Sequence, residues 1–147
     1  KEKYMKVVVA NDHGAVALAK RVLKHLEERG IEDTYLGVGE EKSVDYPDKA
    51  REAVEEYRKG GYDRGILVCG TGIGMSMAAN KVKGIRAAVC GDCFSAQATK
   101  EHNNANVLCL GARVVGPGLA LKIVDTFLET EFSNGERHIR RIDMLEQ

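Results

Sequence analysis

The chain contains no tryptophan and only two prolines, Pro47 and Pro117, so few positions are available for the cis-proline that a thioredoxin-like site sets beside its thiols. Its 22 basic and 22 acidic side chains cancel. With no net field to draw in nucleic acid or a membrane surface, any anion it binds is held by a local cluster. No apolar run approaches the roughly 18 residues of a membrane span, and the charged start KEKYMK lacks the apolar core of a secretory signal. The expected location is the cytoplasm. No internal repeat or low-complexity segment appears. Lys1 to Tyr4 precede Met5, and the sequence leaves open whether they are native.

What is present fits one globular domain spanning residues 1–147. Apolar residues make up 44% and charged residues 30% of the sequence, which excludes a disordered or fibrous chain. A chain of this length buries roughly 70% of the surface its unfolded form exposes, enough for a core without staples.

Five short, nearly continuous apolar runs, KVVVA, TYLGV, RGILVC, IRAAVC and NVLCLG, read as strands buried on both faces. Helical patterns separate them. Ala15, Leu18, Ala19, Val22, Leu23 and Leu26 stripe the segment from Gly14 to Arg29, which Gly30 stops. Asp45 and Pro47 open a second helix, whose inner face carries Ala50, Ala53, Val54 and Tyr57. A shorter one is expected from Gly74 to Lys81, another from Asp92 to about Lys100, and a long one from Pro117. The charged tail after Gly135 is also expected to be helical. This alternation predicts a three-layer α/β/α sandwich with a five-stranded parallel, Rossmann-like sheet and a C-terminal helical tail.

In such folds ligands bind outside the carboxyl ends of the strands. The turns there read NDHG, GVGEEKSVDY, CGTGIG, CGDC and GARVVG, and the polar and reactive residues concentrate in them. In the third, Gly70, Gly72 and Gly74 can turn the backbone tightly and aim several N–H groups at one point before a helix, a setting for a phosphate or a developing oxyanion. Two other readings stay open: a plain tight turn, and a dinucleotide fingerprint with Asp92 holding a ribose. Against the fingerprint, its third glycine is replaced by a methionine, and a Walker motif would need Gly-Lys-Ser/Thr. Cys69 stands at the lip of this loop, where a helix dipole favours the thiolate; a buried, apolar cysteine is the alternative. No acidic residue lies between Cys69 and Lys81, so a base in this loop must be the thiol.

Cys90 and Cys93 have a redox-like spacing, but the context argues for structural cysteines, Cys109 included. Zinc would need a second ligand pair. His25, inside the first helix, is expected to be solvated. His13 follows Asp12 at the first strand's end, and His102 sits in the polar segment KEHNNANV. Arg113 offers a forked phosphate donor, and Arg137 and Arg141 share one helical face, with His138 adjacent.

The motifs NDHG, VDYPD, GILVCGTGIGMSMAANK, GIRAAVC, HNNANVL, GARVVG and GERHIRR, in this order, resemble those of the ribose-5-phosphate isomerase B group, which includes the galactose-6-phosphate and allose-6-phosphate isomerases. The resemblance covers the chain from Met5. It implies an aldose-ketose isomerase interconverting ribose 5-phosphate and ribulose 5-phosphate through an enediolate, with no metal or organic cofactor and no nucleic-acid partner. It also implies that Cys69 is the base, that the Gly70, Gly72 and Gly74 backbone is the anion hole, and that His102 with Thr71 opens the furanose ring. By the same resemblance Asp12, Tyr46 and Asn103 orient the sugar, while His13, Arg113, Arg137 and Arg141 grip its phosphate. Met75 stands where one branch of the family carries a glutamate base, which points to the cysteine branch. The family works as a homodimer or homotetramer whose sites are completed by a neighbouring subunit. A six-carbon sugar phosphate remains the alternative substrate, and a nucleotide-binding module the alternative class.

Overall fold

The computed structural model describes residues 4–40 and 42–147; Lys1 to Lys3, and with them most of the segment ahead of Met5, lie outside the described residues, as does Glu41. Strands β1 (Lys6–Asn11), β2 (Glu32–Tyr35), β3 (Arg64–Cys69), β4 (Ala87–Val89) and β5 (Val107–Gly111) form one sheet in the order β2-β1-β3-β5-β4. Every neighbouring pair is parallel. Between and after them run α1 (Val16–Glu28), α2 (Tyr46–Arg58), α3 (Ile73–Ala79), α4 (Cys93–Asn103), α5 (Pro117–Glu129) and α6 (Glu136–Leu145). The expected sandwich with its helical tail is the observed one.

Strand alternation divides the core into two layers. Val7, Val9, Ile66, Val68, Leu108 and Leu110 face α1, α4 and α5, where Val22, Leu26, Ile123 and Phe127 pack against them. Val8, Ala10, Leu67, Cys69, Val107 and Cys109 face α2 and α3, meeting Ala50, Ala53, Val54, Met75 and Ala79. Fully burying a side chain of this size stabilises by about 1.5–3 kcal/mol, so the two apolar faces fix both the register and the side on which each helix lies.

Burial on both faces holds for the central strands β1, β3 and β5 only; the edges β2 and β4 are partly exposed. β2 also starts earlier than the run TYLGV suggests. Glu32 to Tyr35 pair with Lys6 to Val9, and the chain then turns away while Leu36 donates to the Val9 carbonyl at 2.9 Å. At the other edge the Asn80 side chain bonds the backbone of Ala87 twice, donating to its carbonyl at 2.9 Å and accepting from its amide at 2.8 Å. His25 is not a free surface residue: its ring lies 2.7 Å from Asp125 of α5, which also pairs with Arg29, so α1 and α5 are tied across one face.

Candidate active site

The connection from β3 leads to α3 on one face, whereas those from the flanking strands β1 and β5 lead to α1 and α5 on the other. Adjacent chains that diverge this way leave a crevice at the carboxyl ends of the strands. Cys69, the last residue of β3, lies in the middle of it. Backbone bonds stitch its rim: the Asp12 amide donates to Val68 O at 3.2 Å, the Ala112 amide to Cys69 O at 2.8 Å and the Arg113 amide to Gly70 O at 2.9 Å.

Cys69 is buried, 5% exposed as a residue, and its sulfur accepts the Gly72 N–H at 3.1 Å. That bond requires Gly72 to adopt φ +82°, and a Cβ there would stand 3.0 Å from the Leu110 backbone, so glycine is needed on both counts. The first-turn amides of a helix lack intrahelical partners. In α3 the Ile73 amide is taken by Thr71 Oγ1 at 3.2 Å and the Ser76 amide by the Gly72 carbonyl at 3.2 Å. Tyr46, at the start of α2, lays its ring over Gly74: a Cβ on Gly74 would meet Tyr46 Cε1 at 2.6 Å.

The other turns close around this loop. Asp12 accepts the Gly14 N–H at 2.9 Å and caps the short 3₁₀ turn His13–Ala15. His13 Nδ1 accepts the Val44 amide at 3.1 Å, which leaves Nε2 to carry the ring proton as a donor when the imidazole is neutral. The Arg113 side chain reaches back over Gly70. Asp12, His13, Tyr46, Cys69, Gly70, Thr71, Gly72, Gly74 and Arg113 are thus gathered at one end of the sheet. A cavity of about 320 Å³ beside them is lined by His13, Gly14, Leu18, Arg21, Ala112 and Pro117, among others.

His102, Asn103, Arg137 and Arg141 are not brought there. α4 runs back to the amino end of the sheet, and β5 begins at Val107, opposite Gly65, whereas Cys69 lies opposite Gly111. Those four strand steps alone separate the two ends by about 13 Å. His102 and Asn103 are in the last turn of α4, which runs on past the end expected at about Lys100. α6 packs beside them: the His102 and His138 rings stack with centroids 4.5 Å apart and planes 15° apart, and the Ser133 hydroxyl donates to Glu101 O at 2.8 Å. Arg137 and Arg141 project from the same helix into solvent. One chain therefore carries two clusters at opposite ends of its sheet.

Electrostatics separates the cysteines. Burial, reinforced by Asp92, pushes the Cys90 thiol up to about 11, and complete burial raises Cys109 far beyond the usual thiol range. Both stay protonated and apolar near neutrality, and all four cysteines are free. Asp92 caps α4 through the Ser95 amide at 2.6 Å and hydroxyl at 3.0 Å, so its carboxylate is occupied where a ribose-holding role needs it open. Among the described residues no group of three or more His, Cys, Asp or Glu side chains is arranged to hold a metal, and no helix is long and apolar enough to cross a membrane.

Sequence reasoning missed Asn11. It is fully buried, donating to Asp12 O at 2.8 Å and Val38 O at 3.0 Å and accepting from Tyr35 Oη at 2.6 Å. It thereby ties the Asp12 turn to the loop after β2. Its sequence signals are its place as the polar residue that ends the apolar run and as the first residue of NDHG.

A parallel α/β sheet with a thiol at a central strand end, bonded by an amide of a glycine loop, defines a Rossmann-like fold with a crevice at the carboxyl ends of its strands. The profile of the Ribose/Galactose Isomerase family matches residues 7–145, and the chain belongs to that family. The Bacillus subtilis protein YwlF is 52% identical over 141 residues, covering 94% of this chain and 93% of that protein. Ribose-5-phosphate isomerase B of Escherichia coli is 42% identical over 140 residues, covering 95% and 93% of the two chains. The crystal structure of a ribose 5-phosphate isomerase from Thermotoga maritima matches with a TM-score of 0.95 at 46% identity, covering 98% of this chain and 99% of that one.

Proposed function

We propose that this protein interconverts ribose 5-phosphate and ribulose 5-phosphate, with Cys69 as the base. The observation that carries the reading is the Cys69 sulfur at the carboxyl end of β3, accepting the Gly72 amide at 3.1 Å at the start of α3. Removing the proton from C2 of the open aldose builds negative charge on oxygen. Preorganised N–H donors answer that charge, each contributing about 3 kcal/mol in the transition state. The proton taken by Cys69 returns to C1 while the O2 hydroxyl proton passes to O1, giving the ketose. A positioned base contributes roughly a hundred- to ten-thousand-fold.

The furanose must open first. His102 takes the proton of the C1 hydroxyl as the C1–O4 bond breaks and delivers it to O4, with Thr71 hydrogen-bonding the ring oxygen. Asp12, Tyr46 and Asn103 orient the open sugar. His13, Arg113, Arg137 and Arg141 hold its phosphate, the remote anchor that keeps C1 and C2 in register. Because His102, Asn103, Arg137 and Arg141 lie at the far end of their own chain, two copies pair so that each completes the other's crevice. A phosphorylated metabolite as substrate accords with a cytoplasmic enzyme.

The test is an isomerisation assay with ribose, allose and galactose phosphates at matched concentration. The highest kcat/KM is expected on ribose 5-phosphate. Preference for a six-carbon phosphate would reassign the substrate, and tight dinucleotide binding without isomerisation would overturn the enzyme reading.

A further inference from the structure

The threonines in and just after α5 turn their hydroxyls back onto the helix: Thr126 donates to Lys122 O at 2.9 Å and Thr130 to Thr126 O at 2.6 Å, the usual bond to the carbonyl four residues earlier. Thr99, in α4, does not. Its hydroxyl donates forward to Asn103 Oδ1 at 3.0 Å. Asn103 is exposed at the end of the helix, where a carboxamide is ordinarily free to turn about its last torsion. Here both ends of the residue are held. Arg86 Nε donates to the Asn103 carbonyl and Arg86 Nη2 to the Asn104 carbonyl, each at 3.0 Å, which fixes the backbone, and the Thr99 hydroxyl fixes the side chain. Among the described residues no hydrogen bond engages Asn103 Nδ2. Thr99 and Asn103 also line a cavity of about 620 Å³, so the carboxamide borders open space with its oxygen occupied and its two N–H donors available.

We propose that Thr99 is a positioning residue for sugar binding: by occupying Oδ1 of Asn103 it presents Nδ2, so that Asn103 meets an oxygen of the bound sugar phosphate as a donor only. The proposal rests on the reading of Asn103 given above. It deepens that reading by naming the atom that touches the substrate and the group that turns it there. A carboxamide with an unfixed torsion would meet the same oxygen as readily with its own oxygen, lone pair against lone pair. Fixing the torsion beforehand removes that loss from binding. A change of the Thr99 side chain leaves the helix end in place, because the cap uses Thr99 through its carbonyl, which accepts the amides of Asn104 and Ala105. The role of the hydroxyl is thus separable from the fold of the turn.

The experiment measures kcat and KM, on the sugar phosphate turned over best, for the intact wild-type protein, Thr99→Val, Thr99→Ser, Asn103→Ala and the double variant Thr99→Val/Asn103→Ala. Thr99→Val keeps the branched shape and loses the hydroxyl; it is expected to lower kcat/KM about fivefold, the loss that goes with one neutral hydrogen bond. Thr99→Ser keeps the donor and is expected to stay within about twofold of wild type. Because Thr99 acts through Asn103, adding Thr99→Val to Asn103→Ala is expected to change kcat/KM by less than about twofold. Unchanged kcat/KM in Thr99→Val, a loss in Thr99→Ser as large as that in Thr99→Val, or an equal loss on the Asn103→Ala background would overturn the proposal; the last is what a merely structural hydroxyl would give. Wild-type efficiency in Asn103→Ala would overturn the inference while leaving the isomerase reading standing. Wild-type protein inactive on ribose, allose and galactose phosphates alike would remove the isomerase reading and this inference with it.

Discussion

The backbone amide of Gly72 points at the sulfur of Cys69, three residues earlier, across 3.1 Å. The bond holds the sulfur in place at the end of β3, and it forms where the loop turns through a left-handed residue. Cys69→Ala is therefore expected to lower kcat for ribose 5-phosphate by at least about a hundredfold, with KM and melting temperature little changed. Steady-state kinetics and a thermal melt check this; retained turnover would assign the base elsewhere.

Gly74 and Tyr46 are in contact through the space a methyl group would fill. Gly74→Ala is expected to push the Tyr46 ring aside, raise KM several-fold and cost about 1–3 kcal/mol of stability through overpacking. Tyr46→Ala removes the obstacle, so the double variant should be less destabilised than the sum of the single ones, by a non-additivity of about 0.5 kcal/mol or more. Denaturant unfolding of the four proteins measures it.

Cys69 and the arginines of α6 occupy opposite ends of one chain, which makes subunit mixing informative. Cys69→Ala protein and Arg137→Ala/Arg141→Ala protein should each be nearly inactive at low substrate. Co-refolded in equal amounts, they should regain about one quarter of wild-type activity, because half of randomly paired dimers are mixed and each of those holds one intact site in two. No recovery would mean that each chain builds its site alone.

Cys90 titrates above an ordinary thiol, near 11 against 9.0. The unfolded chain therefore loses this proton first as pH rises, and the stability Cys90 contributes is full below pH 9 and is lost as pH climbs through about 11. Melting temperature should fall over that window, and Cys90→Ala should flatten the fall. An unchanged slope would contradict the burial of this thiol.

The layers of the fold were legible because the central strands are apolar throughout: RGILVC matches β3 residue for residue, and both prolines sit within the first turn of a helix, α2 and α5. The edges were harder to read. β2 is the polar segment EDTY, held by its ladder to β1 and not by hydrophobicity, so an apolar search settled two residues too late. For the site, the residues of the crevice were recognisable because glycine, cysteine and a capping aspartate mark strand-to-helix turns. The distance between His102 and Cys69 was not. It depends on which end of the sheet α4 reaches, a property of topology that no single motif carries. His25 looked solvated because its partner Asp125 lies 100 residues away.

The double bond from Asn80 to Ala87 bears on the fate of the chain outside its native state. A parallel sheet assembles slowly, since its pairings join distant segments, and an open strand border invites copies of the chain to stack into fibrils meanwhile. At β4 the amide of Asn80 stands in for a neighbouring strand, so the three-residue border offers a stray molecule only the outward groups of Val89. In the folded sheet Asn80 thus blunts the β4 border, while β2 forms the other.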